Sequence, residues 1–321
     1  MRQAARAALG SAALVLALAS CGEAPRSDLT GWQAEMGQIR LGVTASEDNP
    51  EQLRRWKTYE THLSRVTGLP VRSYETSDYN GVIQALASGQ ADIVQFGPAA
   101  YANAESQIGD KAMPILASRD SGGNLGYYSA MAVRADSPYR SIQDLKGKTI
   151  GWVDFNSASG YVYPRHAMRE QGIDPDTFFG KSAISGGHTQ GVMAMANGQF
   201  DAILVTMSDG NPQQGFNRGA LFTMARQDLV KMEDFRLIWF AGPIPTSPLV
   251  VRGDRPAEFI DITRGALAAL PFDEPEIWRE IGQPDGSTFA AVTKADYSGM
   301  ISIRAYEVSR RRGGAPAPGG Q

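Results

Sequence analysis

Short apolar segments alternate with segments of helical periodicity along most of the chain, and this alternation restricts the possible folds more than any other feature. Residues 39–43 alternate apolar and polar side chains and predict a strand. Residues 51–67 place large apolar side chains on one helical face before a glycine, and further strands are predicted at residues 71–74 and 92–96. Strands that alternate with helices form mostly parallel sheets covered by helices on both faces. The sequence therefore predicts an α/β fold.

A helix–turn–strand pattern occurs twice in the chain. Residues 83–93 read IQALASGQADI, and residues 192–202 read VMAMANGQFDA. Both segments end a helical pattern at Gly-Gln and pass through one residue to an aspartate before an apolar run. A unit repeated in this way predicts two lobes of similar construction. The alternative is a chance similarity between two amphipathic helices.

The simplest topology has the chain build most of one lobe, cross to a second lobe, and return. On this interpretation residues 38–133 and 247–309 form lobe one, and residues 134–246 form lobe two. The two crossing segments then act as a hinge, and a ligand binds in the cleft between the lobes.

The first residues have the composition of an export signal. Two arginines precede an apolar stretch at residues 7–18, and small residues precede Cys21, so residues 1–20 are predicted to be a signal peptide. The sequence before Cys21 resembles a bacterial lipobox, whose cysteine is lipidated and becomes the mature N-terminus; the alternative is a plain signal peptide with an incidental cysteine. Residues 21–37 are predicted to be a lipid-anchored tether, and the low-complexity residues 310–321 a disordered tail. These features predict a lipoprotein anchored at the extracytoplasmic face of a membrane, in the periplasm.

The composition excludes several classes of protein. The single cysteine excludes an intramolecular disulfide, and the three scattered histidines give no metal motif, so we expect neither a metal nor a cofactor. Removing Arg2 and Arg6 from 31 Lys and Arg residues leaves 29 against 34 Asp and Glu residues, a net charge of about −5. This balance gives no indication of a nucleic-acid partner. An anionic ligand would have to be bound by local dipoles and not by a general positive field.

The segment at residues 154–161 has the features of an anion-binding turn. It reads DFNSASGY and lies between an apolar run at residues 149–153 and a segment of helical spacing. Ser157, Ala158 and Ser159 are therefore predicted to lie where a strand turns into a helix. Free backbone N–H groups and serine hydroxyls at such a turn, together with the helix dipole, can bind an oxyanion. The alternative is a serine N-cap on an ordinary helix.

Several motifs in a characteristic order carry a resemblance to a known family. They are Leu-Lys-Gly-Lys at residues 145–148, the segment at residues 156–161, Gly187-His188, Phe96-Gly97-Pro98 with Tyr101, and Ile244-Pro245 with Pro248. Over residues 38–305 the chain resembles the periplasmic phosphonate-binding proteins of ABC importers. The resemblance implies a type II periplasmic binding protein fold, in which two α/β lobes joined by a two-strand hinge close on the ligand. It also implies delivery to an ABC permease in the inner membrane, without catalysis.

The resemblance further implies a set of ligand-binding residues, with two departures from the family pattern. Ala158, which binds through its backbone N–H, stands where the family typically has Thr, and Ser247 stands where aminoalkyl-phosphonate binders often carry an acid. Asp209 corresponds to an acidic position that faces the amine in those binders. The expected ligand is a phosphonate or related phosphorus oxyanion, with its substituent left open. The other positions that correspond to the family's phosphonate-binding residues are Ser157, Ser159, Tyr79, Tyr101 and His188.

Two alternatives remain open from the sequence. The same fold could bind another anion, such as a sulfonate or a phosphorylated metabolite. A phosphoester hydrolase would need a nucleophile, a base and an acid, for which Ser157, His188 and Asp209 are the available set. The serine segment is not a G-x-S-x-G elbow, so the sequence favours a binding protein over an enzyme.

Overall fold

The computed structural model describes residues 29–44, 50–76, 78–280, 283 and 285–313. The predicted signal peptide and the predicted lipidation site at Cys21 lie outside the described residues, as do residues 314–321. Strands and helices alternate along most of the described chain.

The strands and helices follow the predicted order closely. In chain order the strands are β1 (Ile39–Thr44), β2 (Val71–Thr76), β3 (Ile93–Gln95), β4 (Ala112–Arg119), β5 (Gly126–Arg134), β6 (Thr149–Trp152), β7 (Lys181–Ile184), β8 (Ala202–Asn211), β9 (Gly215–Gly219), β10 (Phe235–Pro245), β11 (Pro248–Arg252) and β12 (Thr288–Ala291). In chain order the helices are α1 (Gly31–Met36), α2 (Pro50–Thr67), α3 (Tyr79–Ser88), α4 (Pro98–Ile108), α5 (Tyr163–Glu170), α6 (His188–Ala196), α7 (Ala220–Arg226), α8 (Ala257–Asp273), α9 (Pro275–Glu280) and α10 (Ser298–Arg311). A π-helical segment, Ala158–Val162, directly precedes α5.

Two sheets define the two lobes of the molecule. In the described part of the chain, the first sheet has the order β12–β4–β11–β3–β1–β2, and the second has the order β10–β5–β8–β6–β7, with β9 paired to β8. Strand β1 is parallel to β2 and β3, and β6 is parallel to β7 and β8. Strands β11 and β5, which follow the two crossings, are antiparallel to β3 and β8. Each sheet is therefore mixed, and less parallel than the sequence predicted.

The two copies of the helix–turn–strand pattern, at residues 83–93 and 192–202, occupy equivalent places in the two lobes. Strand β3 lies beside β1, and β8 lies beside β6. Asp92, just before β3, accepts a hydrogen bond from the backbone N–H of Arg40 at 2.9 Å. Asp201, just before β8, accepts one from the backbone N–H of Thr149 at 2.8 Å. The repeated aspartate therefore fixes the start of β3 against β1 in the first lobe and the start of β8 against β6 in the second.

The first crossing occurs earlier than the sequence suggested. The predicted lobe boundary at residue 133 would place β5 in the first lobe, whereas β5 lies between β10 and β8 in the second sheet. The chain therefore changes sheet between Arg119 and Gly126. It returns between Pro245 and Pro248. An apolar run predicts that a strand is buried but does not identify its neighbours, so the sequence could not assign β5 to a sheet.

Two segments near the ends are more ordered than predicted. The predicted tether extends to residue 37, but residues 31–36 form α1, and Trp32 packs against Phe259 with ring centroids 6.2 Å apart. The predicted tail begins at residue 310, but α10 continues to Arg311. Burial of apolar surface against the lobes offsets the entropy of ordering these segments, and short terminal patterns do not reveal it.

The last helix, α10, connects the two lobes. It packs against α4 of the first lobe and α5 of the second. Glu307 of α10 is fully buried and accepts hydrogen bonds from Arg165 and Arg169 of α5. Because a buried carboxylate is stable only with close cationic partners, these contacts hold α10 on the second lobe.

Candidate anion-binding site

A cavity of about 420 Å³ lies between the lobes and contains most of the predicted ligand-binding residues. The first lobe contributes side chains from the segments that follow β2 and β3, and the second lobe contributes the segments that follow β6 and β7. The carboxyl ends of parallel strands are the usual ligand-binding edge of open α/β sheets. The predicted residues that line the cavity are Tyr79, Ser157, Ala158, Ser159, His188, Asp209 and Ser247.

Helix N-termini converge on this cavity from both lobes. Tyr79 is the first residue of α3 and Gly97 is the N-cap of α4, and both line the cavity. Ala158 begins the π-helical segment that leads into α5, and His188 begins α6. Each helix N-terminus carries partial positive charge on N–H groups without intrahelical partners. The cavity therefore favours an anion although the chain as a whole is acidic.

The serine loop, residues 157–159, is held in place by hydrogen bonds on both sides. Ser157 is the N-cap, and its Oγ accepts a hydrogen bond from Gly160 N at 3.0 Å. The Ser157 carbonyl accepts one from Val162 N at 3.0 Å, and the Ser159 carbonyl accepts one from Ser129 Oγ at 2.6 Å. The backbone N–H groups of Ala158 and Ser159 belong to the first turn, where helical N–H groups have no partner within the helix. The loop is thus a fixed set of donors.

Gly160 determines how closely this loop approaches β6. A Cβ atom at residue 160 would lie 2.3 Å from Val153 Cβ, a distance that no packed structure tolerates. The glycine lets the helix start directly on the strand end, which places Ser157 and Ser159 at the cavity. A glycine is therefore required at residue 160 for steric reasons, and Ser157 additionally caps the segment that follows.

His188 is oriented by a backbone contact. Its side chain is buried, and Nδ1 lies 3.0 Å from the carbonyl oxygen of Leu204. Because a carbonyl oxygen only accepts, Nδ1 carries a proton and donates it to this contact, which fixes the orientation of the ring at the start of α6.

Asp209 and Ser247 lie at the part of the cavity nearest the crossing segments. Asp209 Oδ1 accepts a hydrogen bond from Ser121 Oγ at 3.1 Å, and Ser121 belongs to the first crossing. Asp209 has a φ of 56°, in the left-handed region that Asp tolerates better than most residues. Ser247 lies in the second crossing, between β10 and β11. A change in hinge geometry would therefore move both residues.

Tyr101 is not among the residues that line the cavity. It is fully buried and packs against Tyr297 with ring centroids 5.0 Å apart. Its hydroxyl has no hydrogen-bond partner among the described residues, and burial raises the pKa of this phenol. Tyr127, near the start of β5, lines the cavity instead. The sequence reasoning missed Tyr127 because it placed β5 in the wrong lobe.

Other lining residues gave no usable signal in the sequence. Trp56 and Thr246 line the cavity, and their buried Nε1 and Oγ1 atoms have no partner within the described residues. Trp56 lies within residues 51–67, whose pattern predicts only an amphipathic helix, and Thr246 lies in the second crossing, just before β11. Arg218 of β9 also lines the cavity, on a hairpin that the sequence pattern did not predict. Only the folded chain brings these three residues to one place.

The described residues contain neither a cluster of metal-ligating side chains nor a helix suited to cross a membrane. No group of three or more His, Cys, Asp or Glu side chains within them is arranged to hold a metal ion. No helix in the described ranges is both long enough and apolar enough to cross a membrane.

The sequence profile of one protein family matches residues 41–297, and its description is "ABC transporter, phosphonate, periplasmic substrate-binding protein". The chain belongs to this family. A phosphate-import protein, PhnD, from Mycolicibacterium smegmatis is 30% identical over 61% of this chain and 63% of its own length. The phosphonates-binding periplasmic protein of Escherichia coli is 26% identical over 67% of this chain and 60% of its own length. The matched region thus spans less than two thirds of either relative.

A solved structure supports the fold of this family member. PhnD1 from Prochlorococcus marinus, in complex with methylphosphonate, superposes with a TM-score of 0.70 at 17% identity, over 87% of this chain and 99% of that one. The predicted type II periplasmic binding protein fold, with two α/β lobes, is therefore confirmed. The resemblance to the periplasmic phosphonate-binding proteins is confirmed as well.

Proposed function

We propose that this protein captures a phosphonate or related phosphorus oxyanion in the interlobe cavity and delivers it to an ABC permease. The observation that carries the proposal is the position of the serine loop. Ser157, Ala158 and Ser159 face the same cavity as the N-termini of α3, α4 and α6. An oxyanion with several acceptor oxygens is the ligand that such a set of donors and dipoles fits.

The number of donors is sufficient for useful affinity without a lysine. Two serine hydroxyls, two backbone N–H groups, and the side chains of Tyr79 and His188 lie on the cavity wall. A hydrogen bond to a charged group contributes about 1.5–3 kcal/mol, and association costs at least about 4 kcal/mol. Four or five such bonds at the upper end of this range contribute about 12–15 kcal/mol, which supports micromolar or tighter binding, for which about −8 kcal/mol is required.

Closure of the lobes follows from where these donors lie. The serine loop and His188 belong to the second lobe, whereas Tyr79 begins α3 of the first lobe. An anion seated first on the serine loop would draw the Tyr79 end of α3 towards it. The ligand would therefore shift the population towards a closed form, and this form is the one we expect the permease to recognise.

We extend the proposal to the membrane anchor. Cys21 follows a signal-like segment and is the single cysteine of the chain, so a lipid there would hold the mature protein near its permease. Radiolabelled palmitate should be incorporated into the protein in cells, and Cys21→Ser should abolish the label. Labelled Cys21→Ser protein would show that the lipid is attached elsewhere, whereas unlabelled wild-type protein would contradict the anchor.

Isothermal titration calorimetry tests the ligand assignment directly. Methylphosphonate, aminoethylphosphonate, phosphite, phosphate and an alkylsulfonate would each be titrated into the purified protein. We expect micromolar or tighter binding of at least one phosphorus oxyanion, and loss of at least about tenfold in affinity in Ser157→Ala. Absence of heat and of thermal stabilisation with every phosphorus compound would refute the proposal.

The same experiment separates the rival functions. If the true ligand is a sulfonate or a phosphorylated metabolite, that ligand should bind more tightly than every simple phosphonate. A phosphoester hydrolase is less well supported, because His188 Nδ1 bonds the carbonyl of Leu204, whereas the histidine of a hydrolytic triad bonds a carboxylate. Turnover of an aryl phosphate that disappears in Ser157→Ala would favour the hydrolase.

A further inference from the structure

The interlobe cavity is larger than a small phosphorus oxyanion requires. Its volume is about 420 Å³. Because a water molecule occupies about 30 Å³ of the liquid, this volume is more than a phosphonate with a single methyl group would fill. The wall formed by the end of β4 and the second crossing carries none of the donors assigned above to the phosphonate. This wall is therefore left for the substituent on phosphorus.

Arg119 is a charged residue on this wall. It is the last residue of β4, it is exposed, and it lines the cavity. Within the described residues its side chain makes no hydrogen bond and no ion pair. Arg218, the other arginine on the cavity wall, already has an interaction partner. A ligand can therefore bind the Arg119 guanidinium without displacing a protein contact.

The acidic residues on the cavity wall are held by other donors. Among the described lining residues they are Asp120 and Asp209. Asp120 accepts hydrogen bonds from the backbone N–H of Asn124 at 2.7 Å and from its side-chain amide at 2.9 Å. Asp209 Oδ1 accepts one from Ser121 Oγ at 3.1 Å. Neither carboxylate forms an ion pair with Arg119, so the guanidinium keeps its charge available to a ligand.

Backbone hydrogen bonds on both sides fix the position of Arg119. In the antiparallel register of β4 and β12, Arg119 pairs with Thr288. The turn that follows is closed by two bonds, in which Asp120 N donates to the carbonyl of Asn124 and Gly123 N donates to the carbonyl of Asp120, both at 3.0 Å. A side chain on a fixed backbone loses less freedom when it binds a ligand, as a specificity site requires.

Hydroxyl groups on the same wall can add further hydrogen bonds. Ser118 precedes Arg119, and Pro248 pairs with Ala117 in the antiparallel register of β11 and β4, which places Ser247 beside Ser118. Both serines line the cavity. One guanidinium with neighbouring hydroxyls matches a planar group of single negative charge, because two parallel N–H···O bonds can form.

We propose that the substituent of the ligand ends in a carboxylate, which Arg119 binds from the first lobe while the serine loop binds the phosphonate from the second. The ligand class is therefore a phosphonocarboxylate. Its two ends would contact both lobes, so the carboxylate would also favour the closed form. This inference rests on the proposed phosphonate-binding function.

Ligand pairs that differ only in one charge isolate the carboxylate site. Phosphonoacetate, phosphonopropionate and phosphonobutyrate would each be compared with the carboxamide of the same length. We expect at least one acid to bind about tenfold more tightly than its amide in calorimetric titrations, the low end for a charged hydrogen bond because Arg119 is exposed. This ratio should shrink at an ionic strength of about 1 M, because salt screens exposed charges.

Substitutions show whether Arg119 is responsible for this preference. In Arg119→Gln the ratio between the acid and amide affinities should fall to within about twofold of one. Arg119→Lys keeps the charge but not the planar fork, and should retain part of the ratio. Arg72→Gln removes an exposed arginine of β2 that belongs to the same sheet and does not line the cavity, so the ratio should be unchanged. Thermal unfolding of each variant verifies that it is folded.

Three outcomes would overturn the inference. If no acid binds more tightly than its amide while a phosphorus oxyanion still binds, the proposed function stands and the carboxylate site does not. If the acid is preferred equally in wild type and in Arg119→Gln, another group binds the carboxylate. If methylenebisphosphonate binds more tightly than every acid, this wall takes a second phosphorus group. Absence of heat with every phosphorus compound would instead show that the proposed function itself has failed.

Discussion

Arg304 Nη2 donates a hydrogen bond to Asn156 Oδ1 at 2.8 Å, and both side chains are buried. The same oxygen accepts from Asn103 at 2.9 Å, and the Asn156 amide donates to Asn80 at 3.1 Å. Asn156 directly precedes Ser157, so one side chain joins the serine loop to α3, α4 and α10. Burial lowers the pKa of Arg304 to about 10, because the charge is held in a poorly solvated place.

Asn156→Ala should therefore affect both stability and ligand binding. It leaves the half-buried amide of Asn103 and the buried guanidinium of Arg304 without this acceptor, so the free energy of unfolding should fall by about 2–4 kcal/mol in urea titrations. Because the lobes lose a contact beside the serine loop, affinity for the best phosphonate should fall about tenfold or more. Asn197→Ala, at an exposed helix end, should change stability by less than about 0.5 kcal/mol. Equal behaviour of the two variants would contradict a linking role for Asn156.

A pair of glycine substitutions tests the steric account of the serine loop. In Gly160→Ala the new methyl group would meet Val153 at 2.3 Å, so we expect a loss of about 2 kcal/mol or more in stability and weaker phosphonate binding. Gly265→Ala, in the exposed face of α8 with nothing within 4 Å, should instead stabilise the protein by about 0.5–1 kcal/mol. Thermal and chemical unfolding with matched titrations would measure both. Unchanged binding in Gly160→Ala would show that the loop tolerates displacement.

The features that the sequence predicted well are local ones. The serine loop could be identified because hydroxyls, a glycine and a strand–helix switch lie within a few consecutive residues. The repeated helix–turn–strand unit was visible for the same reason. Both aspartates of that unit, Asp92 and Asp201, make equivalent backbone contacts in the structure.

The features that the sequence did not predict depend on which strands become neighbours. The misplaced boundary at residue 133 and the omission of Tyr127 have one origin, the assignment of β5 to the first sheet. Arg218 and Trp56 reach the cavity from elements far apart in the chain. Periodicity describes how one segment is buried, but it contains no information on which distant segment completes a site.

The ion pair between Arg252 and Asp254, beside the C-terminal end of α3, leads to a pH-dependent prediction. Arg252 donates to the carbonyl oxygens of Leu86 and Ala87 at 2.6 and 2.8 Å, at the opposite end of α3 from Tyr79. The hydrogen bond from Arg252 lowers the pKa of Asp254 from 3.8 to about 2. An acid whose pKa is lower in the folded state stabilises the fold above its unfolded value, and this stability is lost as the pH falls through about 2.

Asp254→Asn should accordingly be less stable than wild type at neutral pH. Because the carboxylate is one third exposed, we expect a difference of about 1 kcal/mol, less than the pKa shift alone would give. The difference should be constant above the ordinary Asp range and shrink as the pH falls from 3.8 towards about 2. Urea titrations at a series of pH values would measure it. A difference that does not depend on pH would show that the asparagine acts through packing and not through charge.

The two tyrosines near the cavity provide the sharpest test of the site. Tyr127 lines the cavity, so Tyr127→Phe should weaken binding of the best phosphonate by about tenfold through loss of a donor to the anion. Tyr101 is buried with no partner for its hydroxyl among the described residues. Tyr101→Phe should therefore leave affinity within about twofold and raise the free energy of unfolding by up to about 1 kcal/mol, because an unsatisfied polar group leaves the core. Calorimetry on both variants would measure the change in affinity, and urea unfolding would measure the change in the free energy of unfolding. If Tyr101→Phe lost binding and Tyr127→Phe did not, Tyr101 would be a ligand-binding residue, and lobe closure would have to bring its hydroxyl to the ligand.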